Sequence, residues 1–273
     1  MRTCSFAALW IAVLLACAPT ATAEPLPVDY NFFAGVPNEL NNPGGSLPGT
    51  NDFSCTPSAA HPNPVILVHG TGGGQQTNWG TYAPLLKNEG YCVFALTYGA
   101  LPGPWPLSAI GGLGDIEEKG AQFAAFADRV LQATGAAQFD VVGHSQGTVI
   151  PSYYAHFLGG ASRIDKYVSL APLWTLSSPI PGYEWLATTP TYLPQITYTN
   201  IMTRYDEVVV PYTAGYVEAP NATNIVVQDT CDQDFSEHAG IAGSPRAAAM
   251  VLNALDPAHP RPVPCEFVPP FTG

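Results

Sequence analysis

The sequence predicts an α/β fold in which a mainly parallel sheet carries helices on both faces, within a single domain. Short apolar runs alternate along the chain with segments of helical spacing, an order that favours a parallel sheet covered by helices. The first run, at 64–70, ends in glycine and has the continuous apolar character of a buried parallel strand. No internal repeat and no linker divides the chain of 273 residues.

The predicted elements follow one another in regular order. Strands are expected at 65–68, 91–98, 138–143, 166–170, 196–202 and 224–228, and helices at 79–88, 115–134, 146–158 and 244–255. Asp115 is a candidate N-cap for the long helix, and Ser244-Pro245 is typical of a helix start. Segments 24–60 and 257–273 are rich in Pro, Gly and Asn, and we expect them to be arms laid over the surface.

The composition excludes several classes of partner. Nearly half of the residues are apolar (47%), which rules out a disordered chain, and only 11% are charged. The formal net charge of −12 would repel phosphate-rich partners, so we expect no nucleic-acid binding and predict neutral substrates. We expect the protein to be a monomer.

Residues 1–23 have the pattern of a secretory signal peptide, which would leave a mature chain of 24–273. A basic start precedes an apolar run from Phe6 to Ala16, and Ala21-Thr22-Ala23 forms an A-x-A cleavage site. The run is too short for a permanent membrane span. Lipidation at Cys17 is the alternative, because residues 14–17 loosely resemble a lipobox, and it would anchor the protein to the cell surface.

Four cysteines lie in the expected mature chain, and an even number in an exported protein indicates disulfide bonds. Four cysteines permit three pairings, of which sequence separation favours Cys55–Cys92 and Cys231–Cys265. The sequence contains no C-x-x-C pair and no His-rich cluster, so we predict no metal site.

Ser145 is the candidate nucleophile. It lies at the centre of Gly143-His144-Ser145-Gln146-Gly147, between a predicted strand and a predicted helix, which is the setting of a nucleophile elbow. Such a turn is sharp, and glycines at its flanking positions remove side chains that would clash. A turn with only a structural role is the alternative interpretation.

A serine hydroxyl needs a base to remove its proton and an acid to orient that base. In this strand–turn–helix architecture both follow the serine in chain order. His238 is the candidate base because it lies in a polar loop before the last helix, whereas His156 lies inside the helix after the elbow and His259 in the C-terminal arm. Asp206, the first carboxylate after the strand 196–202, is the candidate acid; its competitors are Glu207, Asp229, Asp232 and Asp234.

An oxyanion hole needs two donors near the nucleophile. We expect them to be the backbone N–H of Gln146 and the backbone N–H of Thr71, in the glycine-rich loop after the first strand. A glycine-rich loop can also cradle phosphate. This one, however, lacks the sequence patterns of a P-loop and of a dinucleotide-binding fold.

Several segments together resemble secreted bacterial lipases of the class 2 type, which are α/β-hydrolases. They are 65–72 (VILVHGTG), the elbow at 143–147, 205–211 (YDEVVVP) and the histidine loop at 237–240 (EHAG). The likeness extends over about residues 53–256. It implies an α/β-hydrolase fold and a Ser–Asp–His carboxylic ester hydrolase, a triacylglycerol lipase or esterase, with no cofactor.

Two apolar segments, 99–114 and 172–194, follow predicted strands, so both should lie near the carboxyl ends of the sheet, beside the site. We expect them to form an acyl-chain pocket or a rim that faces lipid. The candidate substrate-binding residues are Trp105, Leu107, Leu173, Trp174 and Ile180. The alternative is that these segments only cover the sheet.

The hypothesis from the sequence is a secreted serine ester hydrolase that forms an acyl-enzyme on neutral, apolar acyl esters. Its expected partners are an ester or lipid substrate and a lipid interface. One alternative is an acyltransferase that passes the acyl group to an alcohol or to an envelope glycolipid. Another is a catalytically inactive hydrolase fold used for binding. Hydrolysis and transfer share the acyl-enzyme, so both remain open at this point, as does the preferred acyl chain length.

Overall fold

A computed structural model describes residues 24–175 and 180–272 of the chain. At the centre of this part lies a six-stranded parallel sheet with strand order β2-β1-β3-β4-β5-β6. The strands are β1 (Val65–Val68), β2 (Val93–Leu96), β3 (Phe139–His144), β4 (Ile164–Leu170), β5 (Thr197–Met202) and β6 (Ala222–Val226). The predicted signal peptide, residues 1–23, and Cys17 within it lie outside the described residues.

Within the described ranges, five α-helices accompany the sheet. They are α1 (Val36–Asn41), α2 (Tyr82–Asn88), α3 (Ile116–Thr134), α4 (Ile150–Phe157) and α5 (Pro245–Leu255). Helices α2 and α5 pack on one face of the sheet, and α3 and α4 pack on the other. Successive strand residues point to opposite faces, so Leu67 joins the first core and Ile66 joins the second. This arrangement confirms the predicted α/β class and explains why β1 is apolar throughout.

Some element boundaries differ from those predicted. Residues Ser145–Thr148 form a 3₁₀ turn, and α4 begins only at Ile150, where Pro151 fits the first turn because it has no N–H to leave unpaired. Helix α2 starts three residues later than predicted, and β6 starts two residues earlier. Asp115 occupies the N-cap of α3 but makes no capping hydrogen bond with its side chain.

The N-terminal arm is more ordered than its composition predicts. Phe32–Gly35 form a 3₁₀ turn that continues into α1. The arm packs so closely that a Cβ on Gly35 would lie 1.9 Å from the backbone oxygen of Gln76. The Thr81 hydroxyl donates a hydrogen bond of 2.7 Å to the backbone oxygen of Asp29. Residues 29–41 are therefore docked against the loop that precedes α2.

Both disulfide bonds are formed, in the pairing that sequence separation favours. Cys55–Cys92 joins the segment before β1 to the residue that precedes β2. Cys231–Cys265 joins the loop between β6 and α5 to the C-terminal arm. Among the residues that the structure describes, no helix is long and apolar enough to cross a membrane.

Candidate active site

Ser145 occupies a strained turn directly after β3. Its φ is +54°, in the left-handed region that residues other than glycine rarely adopt. The turn requires glycine on both sides, because a Cβ on Gly143 would lie 2.5 Å from the Gly147 oxygen and a Cβ on Gly147 would lie 1.9 Å from the Val68 oxygen. The crowded backbone holds Ser145 where it borders two clefts.

The structure brings Ser145, Asp206 and His238 together. His238 Nε2 lies 2.8 Å from Ser145 Oγ, and His238 Nδ1 lies 2.9 Å from both carboxylate oxygens of Asp206. An ionised carboxylate can only accept, so the Nδ1–H donates to Asp206 and Nε2 turns its lone pair to the serine hydroxyl. An imidazole in this position can remove the proton from Ser145 Oγ.

The carboxylate of Asp206 is held by its own loop, which follows β5. Asp206 is buried, and its Oδ1 accepts hydrogen bonds from the N–H groups of Val208 at 3.0 Å and Val209 at 2.7 Å. The neighbouring Glu207, a competitor for the acid role, accepts instead from the backbone N–H of His238 at 3.1 Å. Asp206 therefore faces the imidazole ring, and Glu207 holds the backbone of the same histidine.

The remaining candidate acids and bases make other contacts. Asp229 pairs with Arg204, and His259 pairs with Asp256. Asp232 is exposed, and His156 lies in α4. Asp234 is buried and accepts hydrogen bonds from the hydroxyls of Ser236 and Ser244. The contacts of Asp234 join the segment just before His238 to the start of α5.

His144, in the elbow, contacts the backbone of the candidate base, a contact that the sequence analysis missed. Its Nε2–H donates to the backbone oxygen of His238 at 2.7 Å. Burial lowers the pKa of His144 to about 3, and the neighbouring His238 acts in the same direction. The ring is therefore neutral at ordinary pH. The signal for this contact was weak, because a histidine before the nucleophile does not reveal which loop it meets.

Thr71 and Gln146 lie beside Ser145, where both border the first of the two clefts. The Gln146 side-chain amide donates to the Thr71 hydroxyl at 3.0 Å. The glycine-rich loop that carries Thr71 is fixed in turn, because the N–H of Gly72 donates to the Gly111 oxygen at 2.9 Å. These contacts hold the two predicted oxyanion donors in a fixed relation to the nucleophile.

A buried lysine, which the sequence analysis also missed, lies behind the Gln146 side chain. Lys119 Nζ donates to the Tyr183 hydroxyl at 3.1 Å and lies 3.5 Å from Gln146 Oε1. Burial lowers the pKa of Lys119. Its position in the helix was the available signal, since Lys119 lies one turn after Ile116 and about one turn before Phe123, on the buried side of α3.

The first cleft has a volume of about 500 Å³ and opens beside Gln146. Two of the predicted substrate-binding residues, Leu173 and Ile180, line it. The other apolar or aromatic side chains of its wall are Tyr183, Val208, Val209, Val210 and Ala214. The valines belong to the loop that begins with Asp206, so one short segment supplies both the candidate acid and part of the cleft wall.

The second cleft also has a volume of about 500 Å³ and opens beside His238. Trp105, a predicted substrate-binding residue, lines it. The N-terminal arm supplies much of the remaining wall, through Phe32, Phe33, Val36 and Leu40. The sequence analysis missed this contribution because no local pattern shows that a segment about a hundred residues before Ser145 crosses its cleft.

Two predicted substrate-binding residues lie elsewhere. Trp174 is only 1% exposed, and its Nε1–H donates to Asn200 Oδ1 at 2.9 Å, so it packs in the core that covers the sheet. Leu107 lies on an exposed 3₁₀ turn, outside the linings of both clefts, and its side chain faces Gly103. Neither residue borders one of the two clefts. Loop hydrophobicity does not distinguish side chains that cover the sheet or face solvent from those that line a cleft.

Metal binding has no candidate site among residues 24–175 and 180–272. In these ranges no group of three or more His, Cys, Asp or Glu side chains is arranged to hold a metal ion. The candidate site brings a serine, a histidine and a carboxylate into contact, an arrangement suited to acyl transfer through a covalent intermediate.

The family model for class 2 lipases matches residues 62–175, which include β1, the glycine-rich loop and the elbow. The fold is similar to that of Aspergillus fumigatus lipase B, with 16% identity and a TM-score of 0.59 over 80% of this chain and 57% of that one. This chain therefore spans little more than half of that lipase. Bacillus licheniformis lipase BlEst2 in mature form is similar at 14% identity and a TM-score of 0.50, over 73% of this chain and 94% of that one.

The product of gene lin2722 from Listeria innocua is a further neighbour, with 15% identity and a TM-score of 0.51 over 71% of this chain and 94% of that one. At these identities the solved structures establish the fold alone. Over residues 62–175, less than half of its length, the chain is similar to class 2 lipases, and its fold is similar to that of these solved structures.

Proposed function

We propose that the protein is an exported serine ester hydrolase that uses Ser145, His238 and Asp206 as a catalytic triad on neutral, apolar acyl esters. The observation that carries the proposal is the continuous line of contacts from Ser145 Oγ to the His238 ring and on to Asp206, at 2.8 and 2.9 Å. It lies at the junction of two clefts large enough for the two parts of an ester.

In the acylation step, Ser145 Oγ attacks the ester carbonyl while His238 Nε2 takes its proton. Asp206 accepts the Nδ1–H and stabilises the imidazolium that forms. The carbonyl oxygen becomes an oxyanion, which accepts hydrogen bonds from the backbone N–H groups of Thr71 and Gln146. The bond to the alcohol oxygen then breaks, and the alcohol leaves with the proton from His238.

Deacylation repeats this chemistry with water. His238 Nε2 removes a proton from water, which attacks the acyl carbon, and Ser145 leaves with that proton as the carboxylic acid is released. His144 and Glu207 would contribute by holding the backbone of His238 through both steps. An alcohol in place of water would give transfer instead of hydrolysis.

The lining of the clefts supports neutral, apolar substrates. Leucine, isoleucine, valine and aromatic side chains form most of both walls. A net charge of −12 disfavours anionic substrates, although free fatty acid can still be released as a product. Export is supported by the two disulfide bonds, which persist in oxidising compartments, together with the signal-peptide pattern of residues 1–23.

A fluorophosphonate probe tests the nucleophile directly. We expect it to label Ser145, and Ser145→Ala to abolish both labelling and hydrolysis of p-nitrophenyl esters. The control is Ser162→Ala, an exposed serine far along the chain from the elbow, which should label and hydrolyse like the wild type. Labelling of another serine, or hydrolysis that survives Ser145→Ala, would overturn the proposal. Glycerol added to the same assay separates hydrolysis, which gives free acid, from transfer, which gives a glyceride.

A further inference from the structure

The two clefts meet Ser145 from different sides of the triad. The first cleft is lined by Gln146, one of the proposed oxyanion donors. The second is lined by His238 and Ala239, so the proposed base forms part of its wall. The clefts are of equal size, so volume does not distinguish their occupants, but their position relative to the histidine does.

The wall of the second cleft is aromatic and aliphatic, and much of it is open to solvent. Phe33 and Leu40 of the N-terminal arm are 55% and 60% exposed, and Trp105 on the opposite loop is 41% exposed. Large apolar side chains grouped at the mouth of a cleft mark a surface that binds an apolar ligand.

A buried carboxylate fixes this wall in place. Glu39 accepts a hydrogen bond from the side chain of Gln76 at 2.6 Å and another from Trp105 Nε1 at 3.0 Å. The N–H of Gly44 donates to the same carboxylate at 3.0 Å. Both carboxylate oxygens of Glu39 therefore accept hydrogen bonds within the protein, and Glu39 links the N-terminal arm to Trp105. Glu39 itself borders the cleft, but its oxygens already accept these hydrogen bonds, and apolar side chains form most of the surrounding wall.

Ester chemistry decides which part of the substrate enters this cleft. During acylation the bond between the acyl carbon and the alcohol oxygen breaks, and its electron pair stays on that oxygen. The oxygen takes the proton from His238 Nε2, while the acyl group remains on Ser145. The alcohol oxygen must therefore lie within hydrogen-bonding reach of Nε2, and the rest of the alcohol extends into the cleft that His238 lines.

We propose that the second cleft is the alcohol subsite and that it selects esters whose alcohol is itself large and apolar, such as a long alkyl or aryl alcohol. This inference rests on the triad of the proposed function. It assigns the acyl chain to the first cleft, between Leu173 and the valines of the Asp206 loop.

The test keeps the acyl group constant and varies the alcohol. Methyl, butyl and octyl butyrate release the same acid from alcohols of similar acidity, and titration of butyric acid at constant pH gives kcat/KM for each. We expect kcat/KM to rise from methyl to octyl butyrate in the wild type. Leu40→Ala and Phe33→Ala should each lower the octyl-to-methyl ratio by about tenfold, since each removes apolar contact with the long alcohol only. Both side chains are more than half exposed, so these variants should fold normally.

Matched controls separate the two subsites. Leu158→Ala alters a leucine that is 41% exposed just after α4, outside the linings of both clefts, and should keep the wild-type ratio. Leu173→Ala should change the preference among methyl esters of increasing acyl length and spare the alcohol series.

The alcohol assignment is overturned if Leu40→Ala and Phe33→Ala keep the wild-type octyl-to-methyl ratio, or if they change the acyl series instead. A wild-type ratio that does not rise with alcohol length overturns it as well. By contrast, hydrolysis that persists in Ser145→Ala would overturn the triad itself, so the two failures are distinguishable.

Discussion

At the scale of single residues, the site separates groups that face the His238 ring from groups that hold its backbone. Asp206 accepts the ring N–H, whereas Glu207 and His144 bind the backbone N–H and C=O of the same histidine. In the proposed triad, the carboxylate on the ring determines which nitrogen carries the proton and stabilises the charge that would develop there. The backbone contacts affect only the position of the ring.

Asp206→Asn should leave the fold intact and slow turnover by on the order of 10⁴, because an amide can present its N–H to the ring and favour the wrong tautomer. Its oxygen can still accept from Val208 and Val209. Steady-state kcat with p-nitrophenyl butyrate, together with thermal unfolding, measures both effects. Glu207→Gln is the matched control and should lose far less, since a glutamine oxygen can still accept from the His238 N–H. A loss of 10⁴ in Glu207→Gln alone would reassign the acid.

A second buried histidine should make stability depend on pH. Burial lowers the pKa of His69 from 6.5 to about 4. Its neutral ring donates from Nδ1 to the Gly70 oxygen at 2.7 Å and accepts the N–H of Tyr98 at 3.2 Å. Because the pKa is lower in the folded state, the unfolded chain binds the proton first as the pH falls. The stabilisation is thus complete above pH 6.5 and is lost between 6.5 and about 4.

Between pH 7 and pH 5 this residue alone should reduce the free energy of unfolding by about 2 kcal/mol. Urea unfolding at several pH values gives the slope of the free energy of unfolding against pH. His69→Asn removes the titrating ring, so its free energy of unfolding should fall less steeply over the same interval. Identical slopes in the two proteins would show that His69 does not carry this dependence.

At the scale of elements, local sequence signals were enough to predict much of the fold and to select the three residues that the structure brings into contact at the candidate site. Helix α5 begins where Ser244 and Pro245 predict, and the Ser244 hydroxyl accepts from the N–H of Ala247 as an N-cap should. The elbow was recognisable because two glycines flank the serine, and the structure gives the steric reason for each. Strand and helix order then predicted which loops bring an acid and a histidine to the same sheet edge.

The remaining features depend on contacts between distant segments. Helix α1 has six residues, too few for stability on its own, and it exists because Glu39 and its neighbours bind other parts of the chain. Trp174 and Ile180 lie in the same apolar stretch, yet one is in the core and the other lines a cleft. The composition of the stretch gives both residues the same apolar surroundings in sequence. Only the packing of the loop over the sheet determines which of them is in the core and which lines the cleft.

At the scale of the whole molecule, the two arms meet beside the site. The N–H of Phe32, in the N-terminal arm, donates to the oxygen of Thr272 at 2.6 Å. The C-terminal arm also runs along residues 233–235, just before His238, where the N–H of Phe235 donates to the Val268 oxygen at 2.9 Å and the N–H of Val268 donates to the Gln233 oxygen at 3.0 Å. The arms therefore belong to the structure that positions His238, and Cys231–Cys265 fastens one of them.

The two disulfide bonds should differ in their effect on activity but not on stability. They close chain segments of similar length, with sequence separations of 37 and 34, so each should stabilise the fold by about 4 kcal/mol in the chain-entropy model. Replacing Cys231 and Cys265 by serine should also lower kcat, because it frees the arm that pairs with the loop of His238. The matched variant with Cys55 and Cys92 replaced should lose similar stability and keep kcat, since that bond ties the segment before β1 to β2 at the opposite end of the strands from Ser145. Urea unfolding gives the two free energies, and kcat is compared below the unfolding transition of both variants. Equal kcat values would mean that the hydrogen bonds of Val268 hold residues 233–235, and with them His238, without the disulfide.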